Sequence, residues 1–156
     1  MGTEIERKYL VKGSQWKNLA QGVLYRQGYI ATVGKATVRV RVIGDRGYLT
    51  IKGENSGTVR SEFEYPIPVE DAEEMLNGLC DSPLIEKFRY IIPYDNLLWE
   101  VDEFLGDNAG LIIAEVELKN EHQIITLPDW IDKQVTAPKY FNSNLVKHPY
   151  KQWLDR

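Results

Sequence analysis

Cysteine is almost missing from this chain. Cys80 stands alone among 156 residues, so no intrachain disulfide can form. A lone thiol with no base at hand reads as a small buried hydrophobe rather than a nucleophile. Histidine is nearly as scarce. His122 and His148 are the only two, and neither has a second histidine or cysteine at ligand spacing, which argues against a zinc site. No apolar run approaches the roughly 20 residues of a membrane helix. The stretch from Met1 to Glu6 has neither a basic start nor an apolar core, so it is not expected to be a signal peptide. The formal net charge of −4 speaks against a general nucleic-acid binder, because phosphate backbones reward a basic surface. Low-complexity tracts, internal repeats and linkers are also lacking. The expectation is one cytoplasmic domain over residues 1–156 that binds neither membrane nor nucleic acid, as a monomer or homodimer.

A hydrophobic fraction of 43% and a charged fraction of 27% are those of a chain with a real core. The dominant pattern is alternation with period two. It predicts strands over 3–11, 23–32, 36–44, 47–53, 59–67, 85–93, 97–105 and 111–119. Turn-forming pairs and clusters separate several of them: Gly34-Lys35, Gly44 to Gly47, Gly53 to Gly57, Asp95-Asn96 and Gly106 to Asn108. Helical signals are few. Ser14 to Ala20 reads as a short helix capped by Ser14. Val69 to Leu79 follows Pro68, carries acidic residues in its first turns, and spaces its apolar residues helically. Pro128 to Lys133 reads as a short helix begun by proline. Phe141 to Val146 and Tyr150 to Leu154 read as a helix broken at Pro149.

Successive strand residues face opposite sides of a sheet. Sorting the predicted strands by parity separates ionic from apolar residues in seven of the eight. The ionic parity holds Glu4, Glu6 and Lys8; Arg39 and Arg41; Lys52; Arg60, Glu62 and Glu64; Lys87 and Arg89; Glu100 and Asp102; and Glu115, Glu117 and Lys119. Segment 23–32 is ambiguous, since Arg26 and Gln27 fall on opposite faces. A solvated outer face explains any single strand. It explains the whole set poorly, because such a face normally tolerates Ser, Thr, Gln and Asn.

Closing eight strands into a barrel removes the edges and puts one parity inside. The expected fold is therefore mainly β: a closed eight-stranded antiparallel barrel with a charged lumen and a few flanking helices. The helices, with Trp130, Tyr150 and Trp153, are expected to cover the apolar exterior. An outer-membrane barrel is disfavoured, because Glu86 and Glu103 would face lipid. Carboxylates beside cations suit a polyanion with its counter-metal. Hard divalent ions such as Mg²⁺ or Mn²⁺ take oxygen ligands from carboxylates and phosphates, while arginine and lysine meet the remaining charge. A triphosphate, with about four to five negative charges, makes use of both.

The same residues carry a family resemblance. Glu4-Ile5-Glu6-Arg7-Lys8 is similar to the ExExK signature of the CYTH superfamily, the triphosphate tunnel metalloenzymes. Six further segments fall in that family's order: Val38-Arg39-Val40-Arg41, Leu49 to Gly53, Glu62 to Tyr65, Lys87 to Tyr90, Trp99 to Asp102 and Ala114 to Leu118. The short chain resembles the minimal bacterial members, which have only the tunnel. The resemblance implies a triphosphate tunnel in which Glu4, Glu6 and one or both of Glu115 and Glu117 hold the metal, Mg²⁺ or Mn²⁺. It implies that Lys8, Arg39, Arg41, Lys52, Lys87 and Arg89 bind substrate. Lys8, Arg39, Arg41 and Lys52 are expected to act in catalysis, with Glu62, Glu64 and Asp102 orienting water or holding a second metal. Trp130 to Lys133 resembles a short helix that plugs one tunnel mouth.

The expected activity is hydrolysis of the terminal phosphoanhydride of inorganic triphosphate, giving pyrophosphate and phosphate. No base-reading elements are evident, which favours an inorganic over an organic substrate. Two other readings use the same residues. One is an enzyme acting on ATP or thiamine triphosphate, or an adenylyl cyclase. The other is a polyphosphate-binding module without turnover.

Overall fold

The computed structural model describes residues 3–54 and 58–154. Every segment with period-two alternation is a strand. They are β1 (Thr3–Val11), β2 (Val23–Ile30), β3 (Thr37–Ile43), β4 (Arg46–Lys52), β5 (Val59–Ile67), β6 (Ile85–Tyr94), β7 (Leu97–Phe104) and β8 (Ile112–Glu117). All neighbours are antiparallel, in the order β5-β4-β3-β2-β6-β7-β8-β1. The ring closes where β1 meets β5, with Thr3 opposite Ser61, Glu4 opposite Arg60 and Ile5 opposite Val59.

Turn chemistry sets the hairpins. Asp95 and Asn96 join β6 to β7 with φ of 49° and 63°, the left-handed pair that a two-residue loop needs to match strand twist. Gly44, with φ of 59°, opens the tight turn between β3 and β4. Of the predicted turn from Gly53 to Gly57, residues 55–57 lie outside the described residues.

Helix α1 (Val69–Gly78) forms where expected and lays Ala72 and Leu76 on Val40 and Val42 of the outer barrel wall. Gly47 permits that approach, since a Cβ there would lie 2.8 Å from the Ala72 Cβ. The predicted helix after Ser14 is a single 3-10 turn over Gln15–Asn18, and it buries Trp16 completely.

Residues 128–133 do not form a helix. Ile131–Val135 is a ninth strand, β9, paired antiparallel to β1 at Lys8, Tyr9 and Val11. The helical signal was one proline-led turn, which survives only as the Ile131 amide donating to the Pro128 carbonyl at 3.1 Å. β5 leaves the edge of β1 after Ile5. The remaining backbone of β1 needs a partner, and β9 supplies it while burying Ile131 and Val135.

The exterior is covered in two places. Around Trp99, the residues Tyr9, Val101, Ala114, Val116, Trp16 and Trp130 pack together, and α1 covers β3. Each large apolar side chain buried this way contributes about 1.5–3 kcal/mol. Trp130 thus sits on the exterior as expected, but Trp153 and Tyr150 do not. They join a cluster with Ile85, Phe104 and Ile113, which share parity with Lys87, Asp102 and Glu115. Leu145 and Val146 of α2 (Asn142–Lys147) complete it. The C-terminal segment therefore stops one end of the lumen with an apolar plug. Elsewhere outward ions are paired, Lys17 with Glu103 at 2.8 Å and Arg26 with Glu73 at 3.1 Å. Among the described residues no helix is long and apolar enough to cross a membrane.

Candidate active site

Parity delivers the ionic side chains to one half-open cavity of about 210 Å³. Its walls hold Glu4, Glu6 and Lys8 from β1, Arg39 and Arg41 from β3, and Lys52 from β4. Arg60, Glu62 and Glu64 come from β5, Lys87 and Arg89 from β6, Glu100 from β7, and Glu115 and Glu117 from β8. Two residues of the ionic set are elsewhere. Lys119 lies past the end of β8, exposed, with its amide bonded to the Gln123 side chain. The alternation that placed it was extrapolated beyond the strand. Asp102 points inward but is wholly buried behind the wall.

The side chains are sorted into layers. Deepest, Asp102 accepts from Arg89 Nε and Nη2 at 2.7 and 2.8 Å and from Lys87 Nζ at 2.7 Å. Burial alone would raise the Asp102 pKa, but Arg89 and Lys87 hold it below the ordinary carboxylate value. Burial likewise opposes the charge on Arg89, yet Asp102 carries its pKa well above the usual one. Lys87 is different. Burial, helped by Arg89 and Arg41 and opposed by Asp102, pushes its pKa down to about 7. Burial also lowers Arg41, with Arg39 and Arg89 as repelling neighbours. Two cations share the single charge of Asp102, so this corner carries surplus positive charge with little solvent to screen it.

Next to it, Lys8 lies between Glu6 at 3.2 Å and Glu115 at 3.0 Å. Burial and the neighbouring Glu115 push Glu6 up to about 8. Glu115, despite its burial, stays well below the ordinary value because of Lys8 and Arg89. Glu117, on the adjacent lumen position of β8, is raised by burial and then by Glu4, Glu62 and Glu100. Lys52 joins Glu4 at 3.2 Å to Glu62 at 3.1 Å. Arg39 Nη2 donates to Thr50 Oγ1 and to Glu64 Oε1, which also accepts from Thr50 at 2.8 Å. Arg39 Nε is buried without a hydrogen-bond partner among the described residues.

Carboxylates from β1 and β8 crowd together strongly enough to shift one another, as hard cations exploit. Among the described residues no three of them already converge on one point. The donor set fits an ion that completes its shell with water and substrate oxygens, as Mg²⁺ does, rather than one caged by protein alone.

Sequence reasoning missed Gln27, Tyr29 and the C-terminal residues Phe141, Asn142 and Ser143. All but Gln27 line the cavity. Gln27 is wholly buried and accepts from Arg41 Nε at 2.9 Å, which settles the facing of β2: Tyr25, Gln27 and Tyr29 point in. Arg26 points out to Glu73. The alternation Tyr-Gln-Tyr was a legible signal, although it carries no charge. The plug expected at Trp130 to Lys133 is provided instead by residues 141–147, because 131–135 are committed to β9.

A model of the CYTH domain matches residues 2–150, and the chain belongs to that family. It is 55% identical over 156 residues to a protein of Acetivibrio thermocellus named inorganic triphosphatase, covering 99% of this chain and 100% of that one. It is 36% identical over 149 residues to a Nitrosomonas europaea protein of the same name, covering 92% and 96%. A crystal structure of an inorganic triphosphatase superposes with a TM-score of 0.62 at 32% identity, covering 91% of this chain and 96% of the other.

Proposed function

We propose, from this CYTH membership, that the protein hydrolyses inorganic triphosphate at a terminal phosphoanhydride, releasing pyrophosphate and phosphate. The observation that carries the proposal is one small cavity walled by ionic side chains of both signs. Its relatives of 55% and 36% identity carry the matching name.

Lys8, Arg39, Arg41, Lys52, Lys87 and Arg89 bind the phosphate oxygens and meet charge developing on the leaving pyrophosphate. Glu4, Glu6, Glu115 and Glu117 are the residues that would hold Mg²⁺ or Mn²⁺. When bound, such an ion supplies further neutralisation of phosphate charge. Glu62 faces the cavity beside Lys52, and we assign it the orientation of the attacking water. The water oxygen forms the new bond to the terminal phosphorus as the bridging P–O bond breaks, and its proton leaves to a carboxylate or to solvent. Asp102 acts behind the wall by fixing Arg89 and Lys87.

The test is phosphate release from tripolyphosphate by the purified protein with Mg²⁺ and, separately, Mn²⁺, against a panel containing ATP, thiamine triphosphate and pyrophosphate. Fastest release from tripolyphosphate is expected. Tight binding with no release under either metal would make the protein a polyphosphate-binding module instead.

A further inference from the structure

A neutral amide sits wholly buried behind the ionic wall of the lumen. Gln27 Oε1 accepts from Arg41 Nε at 2.9 Å. Its Nε2 donates to the Tyr29 hydroxyl at 2.8 Å and to Asn142 Oδ1 at 3.2 Å. The same Asn142 oxygen accepts from Lys87 Nζ at 2.8 Å. The direction of this relay is forced. Turning the Gln27 amide over would set its NH₂ against the Arg41 N–H, and turning Asn142 would set its NH₂ against the Lys87 ammonium.

The relay determines which donors remain for a ligand. Arg41 rests on the Tyr25 ring, 5.0 Å from its centroid, and among the described residues its guanidinium bonds through Nε to Gln27 alone, which leaves its two terminal nitrogens for the cavity it lines. Once protonated beside a bound polyanion, Lys87 spends one N–H on Asp102 and one on Asn142 and keeps one of its three. An amide can orient a cation without cancelling its charge. A carboxylate in the same place would hold the cation harder and compete with phosphate for it.

We propose that Gln27 and Asn142 are positioning residues, an amide relay by which the C-terminal helix α2 aims Arg41 and Lys87 at the polyphosphate. The proposal rests on the triphosphatase reading and deepens it. Neither residue belongs to the ionic set, and their neutrality is what the site uses.

The deciding variants are Asn142→Asp and Gln27→Glu, which keep size and hydrogen-bond acceptors. A merely structural role predicts tripolyphosphate affinity like that of the parent, since the bonds to Lys87 and Arg41 persist or strengthen. The relay predicts that KM in turnover, and Kd by calorimetry with EDTA present, rise about tenfold, while the melting temperature of Asn142→Asp holds. It also predicts that Asn142→Asp adds no further loss of affinity once Lys87→Met is present. Parent-like affinity in both charged variants, or an undiminished loss in the Lys87→Met background, would overturn the relay. A parent that binds tripolyphosphate but does not cleave it would overturn the triphosphatase reading alone, because the calorimetric arm still reports on Gln27 and Asn142.

Discussion

Asp102 and Arg89 face each other across neighbouring strands and are joined by two hydrogen bonds of 2.7 and 2.8 Å, with the aspartate wholly buried. A pair this dry is held by mutual dependence, because either partner alone would be an uncompensated charge in a poorly solvated place. Asp102 lies behind the cationic wall and is not part of its surface.

Replacing Asp102 with alanine is expected to destabilise the protein by about 3–5 kcal/mol, since Arg89 and Lys87 both lose their counter-charge. Asp102→Asn should cost less and still lower kcat/KM, because Arg89 is no longer held by a charge. Thermal unfolding together with steady-state kinetics checks this. An alanine variant that melts with the parent would refute the account of the buried triad.

Glu6→Gln should reduce triphosphate turnover by about a hundredfold or more while the fold persists, given the metal-binding role proposed for this carboxylate. Relief of the repulsion between Glu6 and Glu115 leaves no reason for the barrel to weaken. Chelation of divalent ions should abolish turnover in the parent and be reversed by adding Mg²⁺ or Mn²⁺. Retained turnover in EDTA would rule out the assigned metal role of Glu6.

Protonation should follow ligand binding at Lys87. Its pKa of about 7 in the free protein leaves it mainly neutral at pH 8, and a polyanion beside it raises that value. Binding tripolyphosphate without metal at pH 8 should then take up a proton. The sign for stability follows the same logic. Between about 7 and the ordinary lysine value the unfolded chain holds a proton that the folded one lacks, so this group's contribution to stability rises with pH. Calorimetry in two buffers of different ionisation enthalpy measures the uptake, and Lys87→Met should reduce it. Equal uptake in parent and variant would assign the proton to another group.

Gly47→Ala should destabilise by about 1–3 kcal/mol. The added methyl would lie 2.8 Å from the Ala72 Cβ and 3.1 Å from the Ile67 carbonyl oxygen, forcing α1 off the wall. Denaturant unfolding reads this directly, and triphosphate KM should change little because the contact is outside the barrel. A parent-like midpoint would mean that α1 is not packed as described.

The sequence by itself determined the eight strands of the barrel, the parity of the ionic residues in seven of them, and the closure those residues imply. A two-residue period is local, so Glu4, Glu6 and Lys8, or Lys87 and Arg89, are committed to one face before any partner strand is known. Tertiary structure decided what local pattern cannot express. Residues 131–135 became a strand because β1 had an unpaired edge, overruling a one-turn helical signal at Pro128. Asp102 went behind the wall rather than onto it because parity fixes the side of a sheet and not the depth along the barrel. Gln27 and Asn142, 115 positions apart, met because the C-terminal segment folds back into the end of the lumen. Their meeting depends on chain closure, and no spacing in the sequence records it.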